Sequence, residues 1–276
     1  MRVDFNKACQ VVNMLCEGMG IRACERLAGL NRHTILGILE TAGEKCAQFL
    51  DEKVRNVKAE NVQVDEVWTF VNSKPQNTPE GDKEHGEFFT YLSVDRASKL
   101  IINWSTVKRD KWNTWKFMED LQRRLDGSRF QLTTDAYQGY WRGPSTVGRV
   151  FGDNVDYATE TKVFGRQFTF GASQWRNPLT VIGIKRKPRL GNPDMSMATT
   201  CHAERTNLSV RLFTRRFTRS TLGYSKKLEN LRHAVAMFVC HFDFCRTHSA
   251  HGKTPAQAAN LTDHVWKIEE ILKTTI

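Results

Sequence analysis

Apolar residues recur at helical spacing from the start of the chain. Val11, Val12, Leu15 and Met19 share one helix face, nothing from residue 5 to 50 alternates like a strand, and Gly18 and Gly20 interrupt the pattern. A short helical segment over 21–28, a turn at Gly29-Leu30-Asn31 and a longer helix from about Arg32 have the layout of a helix-turn-helix. Cys24, Ala28, Leu30, Ile35 and Ile38 fall where two crossing helices would bury them, and Gly29 falls where the turn asks for a positive φ. The charged stretch 51–60 reads as a linker. The period then changes. Residues 62–71 alternate as a strand, 72–86 form a polar loop with Pro75, Pro79 and Gly81, and 88–94 and 100–107 read as two more strands joined by a turn that Asp95 begins. Residues 111–125 fit an amphipathic helix with Trp115, Met118, Leu121 and Leu125 inward. A fourth strand over 130–133 ends at Thr134-Asp135, and a fifth covers 155–164. Residues 165–198 show little period and several cations, including Lys185-Arg186-Lys187, and read as a loop. Helices follow over 199–217 and 226–246, and Thr254 caps a short one with Pro255 at its first position. The expected organisation is a small all-α domain over 1–50, an α/β domain over 61–262 and a tail over 263–276.

Charge gives this architecture a partner. Lys and Arg number 41 against 30 Asp and Glu, a formal charge of +11 with a pI near 9.4. That balance favours a polyanion, nucleic acid above all. Asn31, Arg32, His33 and Thr34, at the start of the second helix of the turn motif, suit base edges or phosphates; a bundle that merely packs is the plainer reading. Mean hydropathy is −0.50, no run approaches the roughly 18 apolar residues of a membrane span, and MRVDFNKACQ has no apolar signal core. No membrane role is expected. Seven cysteines, without zinc-knuckle spacing and mostly within apolar helical patterns, point to a reducing cytoplasm.

Three carboxylates stand out by placement. Asp65 lies between apolar neighbours in the first strand, Asp135 ends the fourth, and Glu204 sits early in a basic helix. Carboxylates in or at the tips of core strands are costly unless their charge is offset. Mg²⁺ (or Mn²⁺) does this with hard oxygen ligands, and two ions about 4 Å apart serve phosphodiester chemistry. Taken singly, a strand-end Asp is more often a turn or cap, and a helical Glu more often pairs with neighbours such as Arg205 or Arg211. Glu66 faces the opposite side of its strand from Asp65, while Asn207 shares the face of Glu204. Arg205, Arg211, Arg215, Arg216, Arg219, Lys226 and Lys227 form the densest positive region, suited to phosphates and to salt-sensitive binding. Charge complementarity at a helix C-terminus also accounts for Arg215 to Arg219. Trp68 and Trp115 read as core walls, and Trp112 as packing rather than base stacking.

Val64-Asp65-Glu66-Val67-Trp68, Thr134-Asp135-Ala136-Tyr137-Gln138-Gly139-Tyr140 and His202-Ala203-Glu204-Arg205-Thr206-Asn207-Leu208-Ser209-Val210-Arg211 together resemble the insertion-sequence-one family of DDE transposases. The last stretch is similar to that family's E-R-x-N-L-x-x-R helix, and Tyr224-Ser225-Lys226-Lys227 extends the likeness. The resemblance implies an RNase H-like (retroviral integrase-like) α/β fold, with Asp65, Asp135 and Glu204 as catalytic residues and metal ligands. It implies cleavage at terminal inverted repeats and joining of 3′ ends to target double-stranded DNA, by a homo-oligomer and without a covalent protein–DNA intermediate. Longer family members carry a cysteine-rich zinc finger before the helix-turn-helix, a spacing not found here. The competing readings are a non-catalytic helix-turn-helix regulator or domesticated transposase, and a stand-alone nuclease that cuts without joining.

Overall fold

A computed structural model describes residues 3–142, 147–165 and 179–274. Helices α1 (Phe5–Cys16), α2 (Ile21–Ala28) and α3 (Arg32–Lys53) come first. Asp4 caps α1 by accepting from the Lys7 amide. Gly29 closes α2 at φ 61°, a left-handed turn glycine makes without a Cβ clash. Asn31 then caps α3, its side chain accepting from the His33 amide at 2.9 Å. Cys24, Ala28 and Ile35 are buried at this turn, with Leu30 and Ile38 half-buried.

The sheet elements are β1 (Asn61–Val71), β2 (Gly86–Asp95), β3 (Ile101–Val107), β4 (Phe130–Thr134), β5 (Val155–Gly165) and β6 (Thr180–Leu190). Helices α4 (Lys111–Arg124), α5 (Gln138–Trp141) and α6 (Val147–Phe151) intervene before β5. They form a mixed α/β sheet of six strands in the order β3-β2-β1-β4-β5-β6. β1, β2 and β3 are antiparallel neighbours, β1, β4 and β5 run parallel, and β6 returns antiparallel to β5. Asp95 makes the β2–β3 turn, its Oδ2 accepting from the Ser98 amide and hydroxyl at 2.7 and 2.5 Å. Helices α7 (Cys201–Phe213), α8 (Leu228–Cys240), α9 (Pro255–Ala258) and α10 (Ile268–Thr274) complete the chain, and a π-helical turn over His241–Cys245 extends α8. Thr254 and Gln257 form a reciprocal capping box on α9, with Pro255 at its first position. α7 covers the sheet face that carries Gln63 and Asp65, while α4 and α5 cover the face of Glu66 and Tyr91.

Several expectations change. Within the stretch expected to be a loop over 165–198, residues 180–190 form edge strand β6 and 166–178 lie outside the described residues. β6 shows no alternation because it is exposed on both faces; its Lys, Arg and Pro188 shield an outer edge that would otherwise recruit strands. The stretch 51–60 is pinned rather than loose: α3 runs to Lys53, Val57 bridges to Leu125, and Val54, Val57 and Ala59 are buried. The stretch 263–276, read as a tail, carries α10, with Ile268, Ile271 and Leu272 buried. The inward face of α4 is Thr114, Phe117, Met118 and Leu121, leaving Trp115 and Leu125 half-buried. Trp68 is 39% exposed and donates to Glu87, so it does not wall the core; Trp112 is exposed but packs against Trp115, ring centroids 4.7 Å apart.

α1–α3 share one buried cluster with the sheet layers. α3 and α8 touch most closely at Gly43, where an added Cβ would lie 2.3 Å from the His233 Cβ and 2.6 Å from its Cα. Gly43→Val is expected to destabilise the fold by at least about 2 kcal/mol through overpacking, read as a lower urea midpoint at unchanged slope. Gly37 is the control, because a Cβ added there would meet no atom within 4 Å. Gly37→Ala is expected to stabilise by up to about 1 kcal/mol.

Asp243 is buried under β3. Its Oδ1 accepts from the Ile101 amide at 3.0 Å, its Oδ2 has no partner, and burial pushes the carboxyl well above the usual carboxylate range. The folded state therefore keeps a proton that the unfolded chain releases near pH 4, and the stability this contributes is lost as pH rises through the folded value. Asp243→Asn preserves the acceptor and mimics the neutral form. We expect it to exceed wild type by about 1–3 kcal/mol at pH 8, with the gap closing toward pH 4, in urea titrations at both values.

Candidate active site

β1 and β4 run parallel in register, Val64 beside Thr134. One rung further β4 has ended, and Asp65 and Asp135 come together at the carboxyl end of the parallel pair, where α/β sheets commonly bind ligands. Asp65 is half-buried, and its Oδ2 accepts from Asn207 Nδ2 of α7 at 2.9 Å. Burial, then the Asp135 charge, with Glu204 adding to them, push Asp65 up to about 7.

Glu204 lies in the first turn of α7. Gln63 of β1 fixes that end of the helix, its Oε1 accepting from the His202 and Ala203 amides at 2.8 and 3.3 Å. The Thr200 hydroxyl donates to Glu204 Oε1 at 2.9 Å, and Lys162 of β5 pairs with Oε2. Beside them Glu160 is buried, accepting from the Thr200 amide at 3.1 Å and from Arg186 Nε at 2.9 Å.

On the opposite face of β1, Glu66 is buried and accepts from the Tyr140 hydroxyl. Burial, then the Asp135 charge, push it up to about 8, against the lowering effect of Arg109. Arg109 Nη2 reaches both Glu66 Oε2 at 3.4 Å and Asp135 Oδ2 at 3.2 Å. Its guanidinium lies over the rings of Tyr137 and Phe89 at 3.9 and 5.2 Å. The other oxygen of Asp135 accepts from the Tyr137 amide at 2.9 Å, which orients the carboxylate as the chain leaves β4.

The three sequence-predicted carboxylates thus come within electrostatic reach of one another, from β1, the end of β4 and α7. Among the described residues no group of three or more His, Cys, Asp or Glu side chains is drawn tightly enough to grip an ion unaided; Lys162 and Arg109 engage Glu204 and Asp135 instead. The donor chemistry fits a hard divalent cation nonetheless. All donors are oxygens, like charges crowd Asp65, and the buried Asn207 Oδ1 beside it has no hydrogen-bond partner.

Of the predicted DNA-contacting residues, Asn31 serves as the α3 cap, Arg32 and His33 are exposed at the helix start, and Thr34 is half-buried. Arg205 is exposed on α7, where its charge acts on His248. Arg211 is half-buried and feels the charges of Arg219 and Asp65. Arg215, Lys226 and Lys227 are exposed on the connection from α7 to α8. Sequence reasoning missed Arg109, Tyr140, Glu160 and Lys162. The sole signal for the last two was their alternate spacing in β5, which puts both on one face; Arg109 gave none.

No family model matches the chain, and no curated protein matches it. Among solved structures it is similar to the cryo-EM structure of a piggyBac transposase synaptic complex with hairpin DNA, at 10% identity over 100% of this chain and 70% of that chain, with a TM-score of 0.42. It is also similar to the Mos1 transposase paired-end complex with left transposon end, at 12% identity, 57% of this chain, 59% of that chain and a TM-score of 0.26. The Mos1 mariner paired-end complex with Mn follows at 10% identity, the same coverages of 57% and 59%, and a TM-score of 0.24. The chain spans about three fifths of the length of those Mos1 chains. Among the described residues no helix is long and apolar enough to cross a membrane.

Proposed function

We propose that the chain is a DDE-type DNA transposase of the insertion-sequence-one kind, with an RNase H-like catalytic unit behind a helix-turn-helix reader over residues 1–50. The observation that carries this reading is the convergence of Asp65, Asp135 and Glu204 at the carboxyl end of the parallel β1–β4 pair, with Asp65 raised to about 7 by burial and its charged neighbours. The strand order, three antiparallel strands followed outward by two parallel ones, supports it.

Asp65, Asp135 and Glu204 would hold two Mg²⁺ or Mn²⁺ ions, which supply charge stabilisation for phosphodiester cleavage. The chain's own contribution is positional. Asn207 holds Asp65, the Tyr137 amide holds Asp135, and Thr200 holds Glu204. In the first reaction water attacks phosphorus and the 3′ oxygen departs as a hydroxyl; in the second that 3′-hydroxyl attacks a target phosphorus and forms a new 3′,5′-phosphodiester, while the target's own P–O3′ bond breaks and its 3′ oxygen leaves as a hydroxyl, taking up through solvent the proton the attacker gives up. No protein–DNA bond forms. Arg32, His33 and Thr34 would read one DNA segment, and Arg205, Asn207, Arg211, Arg215, Lys226 and Lys227 would contact DNA from the catalytic unit, in a homo-oligomer assembled on DNA.

The test is nicking and end-joining by the wild-type protein on DNA fragments flanking the coding region, in Mg²⁺, Ca²⁺ and EDTA. Joined products in Mg²⁺ alone support a transposase. Nicks without joining indicate a nuclease, and salt-sensitive binding without cleavage in any metal indicates a regulator; either result overturns this reading.

A further inference from the structure

A groove of about 550 Å³ runs between the N-terminal helices and the connection from α7 to α8. Arg22 and Arg32 stand on one wall, Arg215, Arg216, Lys226 and Lys227 on the other, and no carboxylate is among its lining residues. No ion pair among the described residues ties any of these six cations to an acid. Lys226 Nζ and Arg216 Nε bond to the neutral oxygens of Tyr224 at 2.9 Å and Ser225 at 2.7 Å. Burial lowers Arg216 to about 10 with no opposing charge to restore it. Cations gathered this way repel one another, and an anion along the groove converts that repulsion into attraction.

The positive strip continues toward the carboxylates. Arg211 feels the charges of Arg219 and Asp65. From Glu204 to Arg215 the chain follows α7 and its exit, about 16 Å at helical rise. That length matches roughly five base pairs at 3.4 Å each.

We propose that this groove holds the sugar-phosphate backbone of the same duplex whose scissile phosphate lies at Asp65, Asp135 and Glu204, and that Arg215 contacts it about five base pairs from that phosphate, with Arg22 on the facing wall. The proposal rests on the transposase reading and adds one rigid track, shared by the N-terminal helices and the catalytic unit, to it. A duplex fits better than a single strand. The groove's one aromatic residue, Tyr224, packs against Phe70 at 4.6 Å and is covered by Lys226 at 4.2 Å, leaving no open ring for a base to stack on.

The experiment measures binding of a labelled 30-base-pair element-end duplex and its single strand by anisotropy, from low to high salt, for wild type, Arg22→Gln, Arg22→Glu, Lys226→Glu and the distant control Arg123→Glu. Thermal melts confirm folding. The charge reversals are expected to weaken duplex binding tenfold or more at 100 mM salt, with Arg123→Glu within twofold of wild type. Arg22→Gln is expected to reduce the slope of log affinity against log salt by about one, the loss of one phosphate contact. Wild-type affinity and slope in all groove variants, with DNA cleavage by wild type intact, overturn the groove and leave the transposase reading standing. Tighter wild-type binding to the single strand overturns the duplex as occupant. Failure of wild type to bind or cleave any DNA removes the transposase reading itself.

Discussion

Asp135→Asn is expected to lower metal-dependent strand cleavage and joining by about 10³-fold or more, equivalent to roughly 4 kcal/mol of transition-state stabilisation. Asparagine has the shape of aspartate, and its Oδ1 still accepts from the Tyr137 amide that orients the wild-type carboxylate. What disappears is one negative charge beside Asp65. The variant therefore separates chemistry from folding. Its melting temperature should match or exceed that of wild type, because Asp135 raises both Asp65 and Glu66 and its removal relieves that repulsion. Single-turnover product formation in Mg²⁺ measures the effect, and activity within tenfold of wild type would place the carboxylate outside the reaction. Asp65→Asn is expected to lose as much, with Asn207 keeping an oxygen or nitrogen of the amide as partner.

Arg109→Met is expected to be the most damaging change to stability near the site, and increasingly so with pH. Removing one partner of a buried pair strands the other, at a cost of about 3–5 kcal/mol when the remaining group stays charged. Glu66 is that group. Its carboxyl is raised to about 8 even with Arg109 present, so below pH 6 it is protonated and little is stranded. Above pH 8 the wild-type carboxyl ionises against Arg109, whereas in the variant it is pushed further up and must either keep its proton or ionise beside Asp135 without a counter-ion. The sign follows from proton linkage: Glu66 with a raised folded value contributes stability that is intact in acid and lost as pH rises through about 8, and Arg109 limits that loss. The Asp135 leg adds little, since that side chain is well exposed and screened. We expect a cost of about 1 kcal/mol at pH 6, mostly lost stacking on Tyr137, and about 2 kcal/mol at pH 9. Glu66→Gln should remove the pH-dependent part in a double-mutant cycle. A loss independent of pH would mean that the arginine acts by packing alone.

The elements most legible in the sequence were those with a one-sided environment. β1 could be read because its buried positions alternate with partly exposed ones past Asp65, and α1 because Val11, Val12 and Leu15 face a single core. β6 escaped because an edge strand exposed on both faces has no apolar period to display. α10 escaped because seven residues hold too few turns to establish one. Trp68 misled because a large aromatic next to a core strand usually points inward, whereas here it sits on the rung that faces Phe89 across β2 and bonds outward to Glu87. At the site, Asp65 and Asp135 announced themselves as charges where chain position demanded burial. Their counter-ions did not. Arg109 and Lys162 lie 26 and 42 residues from Asp135 and Glu204, and nothing local in either segment distinguishes a pairing arginine or lysine from a solvated one.

α10 also bears on the order in which this protein assembles. It packs beside α1 and α3: Lys45 of α3 donates to the Leu272 carbonyl at 2.9 Å, and Lys273 lies 5.2 Å over the Phe5 ring. α3 in turn rests on α8, nearly two hundred residues downstream. A nascent chain leaves the ribosome from its N-terminus, yet here the first helices, which pack on one another, acquire these further neighbours only after α8 and α10 have been synthesised. Such long loop closures slow folding and leave an apolar helix face open meanwhile. Translation must therefore run nearly to residue 272 before the N-terminal unit is whole, so a stalled or truncated product would display these helices without their proper seat.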